Sequence, residues 1–252
     1  MTKTALITGS GQNIGKSIAL ALARSGFDII LNGSRQREPL EHLQNQIHAM
    51  GQKADIAMAD IGDPEALKAI INQITSRSGG SGGIDVLVNN AAIRPQAGFL
   101  NMLDADWERV MNVNYGAALT LCRAFLPGMI DKGWGRIINF SGMNSQRGYA
   151  GSSAVAVSKH AMWGLTKALA MEFASNGITA NIISPGIFPP DNLSESDQST
   201  KDRFAALAQS NPSQRLGQPD HIAEMIVYLV SENGSYVNGQ MLQINGGAVN
   251  QF

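Results

Sequence analysis

Short apolar runs alternate along this chain with longer stretches of helical periodicity, and that alternation limits the fold more than any other feature. Residues 4–8, 28–31, 54–58, 84–88, 137–140, 179–183 and 240–244 are predicted strands. Residues 16–25, 36–50, 64–76, 104–130, 152–174 and 222–230 are predicted helices, with Pro127 as the interruption in the fourth. Gly26 stops the first helix, while Asp63 as cap and Pro64 in the first turn open the third. Strands alternating with helices imply an α/β chain with a doubly wound, mostly parallel sheet. The alternation runs through the glycine-rich stretch Gly79-Gly80-Ser81-Gly82-Gly83, which is therefore expected to be a surface loop rather than a domain linker. A single domain over residues 1–252 follows. Residues 187–213 break the pattern: they are polar, with Pro189-Pro190 near one end and Asn211-Pro212 near the other. A long irregular excursion of that kind suggests a mobile substrate loop or lid.

Composition narrows the function. The hydrophobic share is 44% and the charged share 15%, as in a globular chain with a large core. A net charge of -1 supplies no basic field for nucleic acid or acidic lipid. Neither kind of partner is expected. The one cysteine, Cys122, excludes an internal disulfide and reads as a small buried hydrophobe rather than a catalytic thiol. No signal peptide and no bilayer-length apolar run are visible, so a cytoplasmic location is expected.

Between the first strand and first helix stands Gly9-Ser10-Gly11-Gln12-Asn13-Ile14-Gly15. A glycine-rich turn there can set backbone N–H groups and a helix N-terminus against a phosphate. Asn13 tolerates the left-handed backbone that such a turn needs. Five further motifs follow in order: Asn89-Asn90-Ala91-Ala92, Val113-Asn114-Tyr115, Ser158-Lys159, Pro185-Gly186 and Asn245-Gly246-Gly247. Together with Thr8-Gly9 and Asn13-Ile14-Gly15, this set resembles the short-chain dehydrogenase/reductase family, of the short single-domain type, over essentially the whole chain.

The resemblance implies a Rossmann-like fold, binding of NAD(H) or NADP(H), a small-molecule substrate and a homo-oligomer, either dimer or tetramer. By resemblance, Gly9, Gln12, Asn13 and Ile14 hold the pyrophosphate. Asp60 and Ile61 flank the adenine, Asn90 and Ala91 pack along the adenosine ribose, and Pro185, Gly186 and Phe188 lie near the nicotinamide. After the second strand comes Asn32-Gly33-Ser34-Arg35, where an acid would bond the ribose hydroxyls of NAD. Ser34 and Arg35 join the cofactor-binding candidates. Arg35 can pair with the extra phosphate of NADP or stand as a solvated loop charge; the first reading is preferred, so NADP(H) is favoured over NAD(H).

At the chemical end the family pattern breaks. The family's usual site is Asn, Ser, Tyr, Lys, with the tyrosine as acid/base while hydride moves at the nicotinamide. Asn114 and Lys159 match. The tyrosine position, four residues before Lys159 on one helix face, is Val155; the serine position is Gly142. Candidate replacements are Ser141, Tyr149 and Lys159 itself, whose pKa should fall among apolar walls. For Tyr149 a packing or lid role competes, and for Ser141 a bond to backbone or cofactor; Ser152 and Ser153 read first as helix caps. His160 reads as a packed or interface residue. Arg94 and Arg147 lie on loops lining the family's cleft, where they can clamp an anionic substrate or remain solvated. The resulting expectation is an oxidoreductase on a small carbonyl or alcohol with an altered active site. The rival readings are a lyase or hydrolase on the same scaffold and a catalytically silent binding subunit.

Overall fold

The computed structural model describes residues 2–77 and 83–250. Among these, seven strands form one parallel sheet in the order β3-β2-β1-β4-β5-β6-β7. They are β1 (Thr4–Ile7), β2 (Asp28–Gly33), β3 (Ala54–Met58), β4 (Val86–Asn89), β5 (Gly135–Phe140), β6 (Ile178–Pro185) and β7 (Met241–Ile244). The helices are α1 (Asn13–Arg24), α2 (Glu38–Ala49), α3 (Pro64–Arg77), α4 (Asp104–Met111), α5 (Ala117–Asp131), α6 (Met143–Arg147), α7 (Ser153–Glu172), α8 (Gln198–Ser210) and α9 (Pro219–Val230). The doubly wound α/β fold expected from the alternation is the one observed.

Side-chain alternation along the strands feeds two cores, one on each face of the sheet. Ile7, Val86, Val88 and Ile138 pack with Ile18 and Leu22 of α1, Leu40 and Leu43 of α2 and Ile226 of α9. Their neighbours Leu6, Leu87 and Ile137 face the other way, onto Leu67 and Ile70 of α3 and Leu121 and Phe125 of α5. Because both faces are covered, every residue of β5 and β6 is buried, the polar Arg136, Asn139, Thr179, Asn181 and Ser184 as well as the apolar ones. Cys122 lies in the second core, and burial pushes its thiol up to about 12, so it is inert as expected. The strand order turns at β1, whose neighbours are β2 and β4. A crevice at the carboxyl ends of β1 and β4 is therefore the natural ligand site.

Several elements differ from the sequence reading: α6 lies in a stretch read as loop, and α9 begins at Pro219 rather than residue 222. The predicted helix over 104–130 is two helices joined by a π turn at Asn112–Gly116, and α5 runs through Pro127 to Asp131. The first helix starts at Asn13 rather than residue 16. The stretch 187–213, read as irregular, contains α8, capped by an Asp197 carboxylate that accepts from the Thr200 amide at 2.7 Å. That helix buries no residue, so it left no apolar periodicity to read. Of the glycine-rich stretch 79–83, all but Gly83 lies outside the described residues.

Candidate functional site

The glycine turn after β1 is built by backbone close approach. Gly9 has φ 64, and an added Cβ there would touch the Cβ of Ala91 at 3.0 Å. At Gly15 a Cβ would stand 2.2 Å from the Gly9 carbonyl, which no side chain could relieve. Asn13 takes the left-handed conformation at φ 47, the role its residue type suggested. The family motifs nearby hold this turn in place. The Thr8 hydroxyl accepts from the Asn90 and Ala91 amides at 3.0 Å each. The Asn90 side chain donates to the Thr8 and Gly9 carbonyls at 2.9 and 3.0 Å. Asn90 and Ala91 thus clamp the turn itself, a role the residue-by-residue resemblance had not suggested.

Asn32 is a second residue whose part was missed. It stands in β2 where an acid was looked for, and it is 2% exposed. Its side-chain amide donates to the Ala57 and Ala59 carbonyls, and its oxygen accepts from Gly9 N–H at 3.3 Å. A neutral amide satisfies both donor and acceptor needs at this buried crossing of three strands, which a carboxylate would not. Ser34 and Arg35 follow it on an exposed loop. Asp60 is bound by Arg109 and by the Gly62 amide at 3.0 Å. Burial raises its pKa, but the bonds from Arg109 and Gly62 and the charges of Arg109 and Arg35 outweigh this and hold it below the ordinary carboxylate value. Ile61 beside it is buried.

Packed against β5 and β6, α7 carries Lys159 inward, 3% exposed. A buried chain of side chains sets the helix against the sheet. Asn89 of β4 donates to Asn139 of β5 at 2.8 Å, and Asn139 donates to Thr166 at 2.9 Å. Thr166 lies two turns beyond Lys159 on the same face. The Lys159 Nζ donates to the Phe140 carbonyl at 2.9 Å. Burial first, and the neighbouring Arg94 charge second, bring its pKa from 10.5 to about 7.

Asn114 sits in the π turn, a distortion frequent at functional sites. Its oxygen accepts from the Ile93 amide at 2.9 Å and its nitrogen donates to the Ile93 carbonyl at 3.0 Å. It also donates to Ser158 at 3.2 Å, and Ser158 in turn donates to the Val155 carbonyl. Asn114 and Ser158 are therefore bonded, with Lys159 the next residue after Ser158 on α7, while the loop bearing Arg94 is held by Asn114. Val155 is 7% exposed and packs with Val110, Ala154, Ile93, Met102 and Trp107. Gly142 has extended backbone, φ -179, and no heavy atom within 4 Å of an added Cβ.

The remaining candidates divide. Ser141 is buried at the end of β5, its amide bonded to the Ile183 carbonyl at 2.8 Å. Tyr149 is 52% exposed and makes no hydrogen bond through its hydroxyl among the described residues. His160 faces out, its ring bonded to the Ala156 carbonyl of its own helix. Pro185 ends β6; Gly186 is so close to Asn245 that a Cβ would stand 2.6 Å from its Cα. Phe188 packs on Gly217, where a Cβ would meet the ring at 2.6 Å. Gln12 is exposed beside the turn, and the Ile14 amide bonds the Asn13 side chain at 2.9 Å. Among the described residues no cluster of potential ligands could hold a metal ion, and no helix is long and apolar enough to cross a membrane.

This arrangement has relatives across its full length. A family model described as enoyl-(acyl carrier protein) reductase matches residues 9–249. Nodulation protein G of Azospirillum brasilense is 37% identical over 245 residues, covering 97% of each chain. A 3-oxoacyl-[acyl-carrier-protein] reductase FabG of Staphylococcus aureus is 33% identical over 247 residues, covering 98% of each. Among solved structures, a protein described as an NAD(P)-dependent gluconate 5-dehydrogenase from Beutenbergia cavernae, with NADP at low occupancy, superposes with a TM-score of 0.87. It is 33% identical, and the match covers 97% of this chain and 96% of that one. With the glycine turn, the Asn114–Ser158 bond, the buried Lys159 and the parallel sheet all in place, the chain belongs to the short-chain dehydrogenase/reductase family.

Proposed function

We propose that the protein is an NADP(H)-binding oxidoreductase acting on a small carbonyl or alcohol through an altered acid/base site. The observations that carry the reading are the intact turn of Gly9, Asn13 and Gly15 after β1 and a buried Lys159 bonded to Phe140 at the carboxyl end of β5. The turn fits a pyrophosphate: the left-handed backbone of Asn13 opens α1, which presents its N-terminal amides there. Gly9, Gln12, Asn13 and Ile14 would hold that group. Asp60 and Ile61 would border the adenine, Asn90 and Ala91 the adjoining ribose, and Pro185, Gly186 and Phe188 the nicotinamide. Arg35, with Ser34, would meet the extra phosphate of NADP(H). The bound nicotinamide supplies hydride transfer; everything else falls to the chain.

Lys159 is the group best placed to move a proton. An amine with a pKa of about 7 is part neutral at physiological pH, so it can take a proton as readily as it gives one. Asn114 positions the Ile93–Arg94 loop and Ser158 rather than reaching a reacting atom directly. Ser141 and Tyr149 are the hydroxyls proposed to serve the substrate oxygen beside it. Arg94 adds positive charge beside Lys159, which favours a substrate carrying an anionic group. Fluorescence titration tests the cofactor part: NADPH is expected to bind more tightly than NADH, Arg35→Ala to erase the difference, and Gly15→Ala to abolish both. Equal affinities with a silent Arg35→Ala would overturn the NADP preference.

A homo-oligomer is part of the same proposal. Phe99, Leu100 and Leu103 before α4 are 72%, 92% and 67% exposed, and Met171 on α7 is 84% exposed. Apolar side chains so far out of the core favour burial between copies. Light scattering at micromolar concentration is expected to give a dimer or tetramer; a monomer would refute it.

A further inference from the structure

After β6 the chain returns to the glycine turn. The Asn13 amide donates to an Asp191 carboxylate oxygen at 2.8 Å, and the Asn13 side chain donates to the Pro189 carbonyl at 2.7 Å. These contacts join residues 178 and 176 positions apart. Asn13 is the first residue of α1, so its N–H belongs to the donors a helix leaves unpaired, at the positive end of the helix dipole. A carboxylate there occupies a position suited to a phosphate oxygen. Asp191 is exposed and makes no ion pair among the described residues, so no cation neutralises it. Pro189 and Pro190 fix two successive φ angles just before it and so restrict how the carboxylate approaches.

A pyrophosphate entering the turn would need the same donor and would bring negative charge against that carboxylate. We propose that Asp191 is a built-in competitor for the pyrophosphate of the dinucleotide, holding the Asn13 N–H until the ligand displaces it together with the strap at 187–197. The inference rests on reading residues 9–15 as a dinucleotide turn. Cofactor binding is then an exchange of one anion for another. Asp191 sets how tightly the dinucleotide is held, and the position of the strap reports whether the turn is filled.

The test uses the full chain, with Asp191→Asn and Asp191→Ala beside wild type. Asparagine keeps an acceptor for Asn13 and removes only the charge; alanine removes both. NADPH affinity, followed by fluorescence, is expected to rise about threefold to tenfold in Asp191→Asn, as for a lost charge at a helix N-terminus. The gap should narrow at high salt. Inorganic pyrophosphate should raise the melting temperature of the variants more than that of wild type. Without ligand, Asp191→Ala should show faster proteolysis within 187–197. Variants binding NADPH no more tightly than a wild type that binds it well would overturn the inference and leave the dinucleotide reading standing. Failure of all three proteins to bind NADPH or NADH at millimolar concentration would remove the dinucleotide reading and this inference with it.

Discussion

Val155→Tyr combined with Gly142→Ser is expected to raise NADPH-dependent reduction of simple ketones by on the order of 10²-fold or more over the native chain, the scale of general acid–base help. A tyrosine at 155 would stand one helical turn before Lys159 on the same face. The lysine's positive form would favour the phenolate and so lower the phenol's pKa. Gly142 offers extended backbone and open space, so a serine there needs no rearrangement. Its hydroxyl would donate toward the developing alkoxide, where one such bond is worth roughly 2.7–4 kcal/mol. Val155 is pressed on Val110, Met102 and Trp107, so the larger ring must turn toward the crevice rather than into that cluster. The pair should act as a unit, and neither single change should approach the double mutant. Any native activity should fall, because the ring takes space that the native substrate uses. The assay is NADPH consumption against a ketone panel. A wild type already fast on simple ketones would show that another acid serves, with Tyr149→Phe as the next variant. A folded, NADPH-binding double mutant that stays inert would favour a pocket rebuilt for non-redox chemistry or for binding alone.

Lys159→Met is expected to stabilise the ligand-free protein at pH 6 while weakening dinucleotide binding. The folded-state pKa of Lys159 is about 7 against an ordinary 10.5. Between those values the unfolded chain binds more protons than the folded one, so stability rises with pH across this window. Below it both states are protonated and the full penalty for the buried charge applies. The shift corresponds to about 5 kcal/mol at most, from which about 1 kcal/mol returns because the Phe140 carbonyl loses its donor. A net gain of roughly 2–4 kcal/mol should raise the melting temperature by about 4–16 °C in a chain of this size. Melts at pH 6 and 8.5 should show wild type gaining stability with pH and Lys159→Met gaining clearly less, while above about pH 9 the buried Cys122 thiol lowers the stability of both. A variant less stable than wild type at pH 6 would mean that the ammonium is better solvated than its burial implies. A lysine retained at such a cost is the stability–function conflict expected of a working group.

The sheet, its order of elements and the glycine turn were legible in the chain because they rest on local physics. Apolar runs such as 137–140 mark buried strands, and Gly9, Asn13 and Gly15 mark a backbone bend that other residues cannot make. The absence of a tyrosine at 155 and a serine at 142 was equally plain. What a single sequence does not encode locally is which polar side chain meets which. Asn32 reads as a missing acid, yet its amide ties β3 and the Gly9 turn together. Asn114 works by grasping both backbone groups of Ile93 from a π turn that no periodicity announces. The helix α8 is invisible because it buries nothing, and the lowered pKa of Lys159 takes its size from the surrounding walls and from Arg94. Asp191 reaches Asn13 from 178 residues away. Hydrogen bonds and charges act through space, so their partners are settled only when distant segments are packed together; periodicity and turn chemistry act along the chain, and the sequence carries them alone.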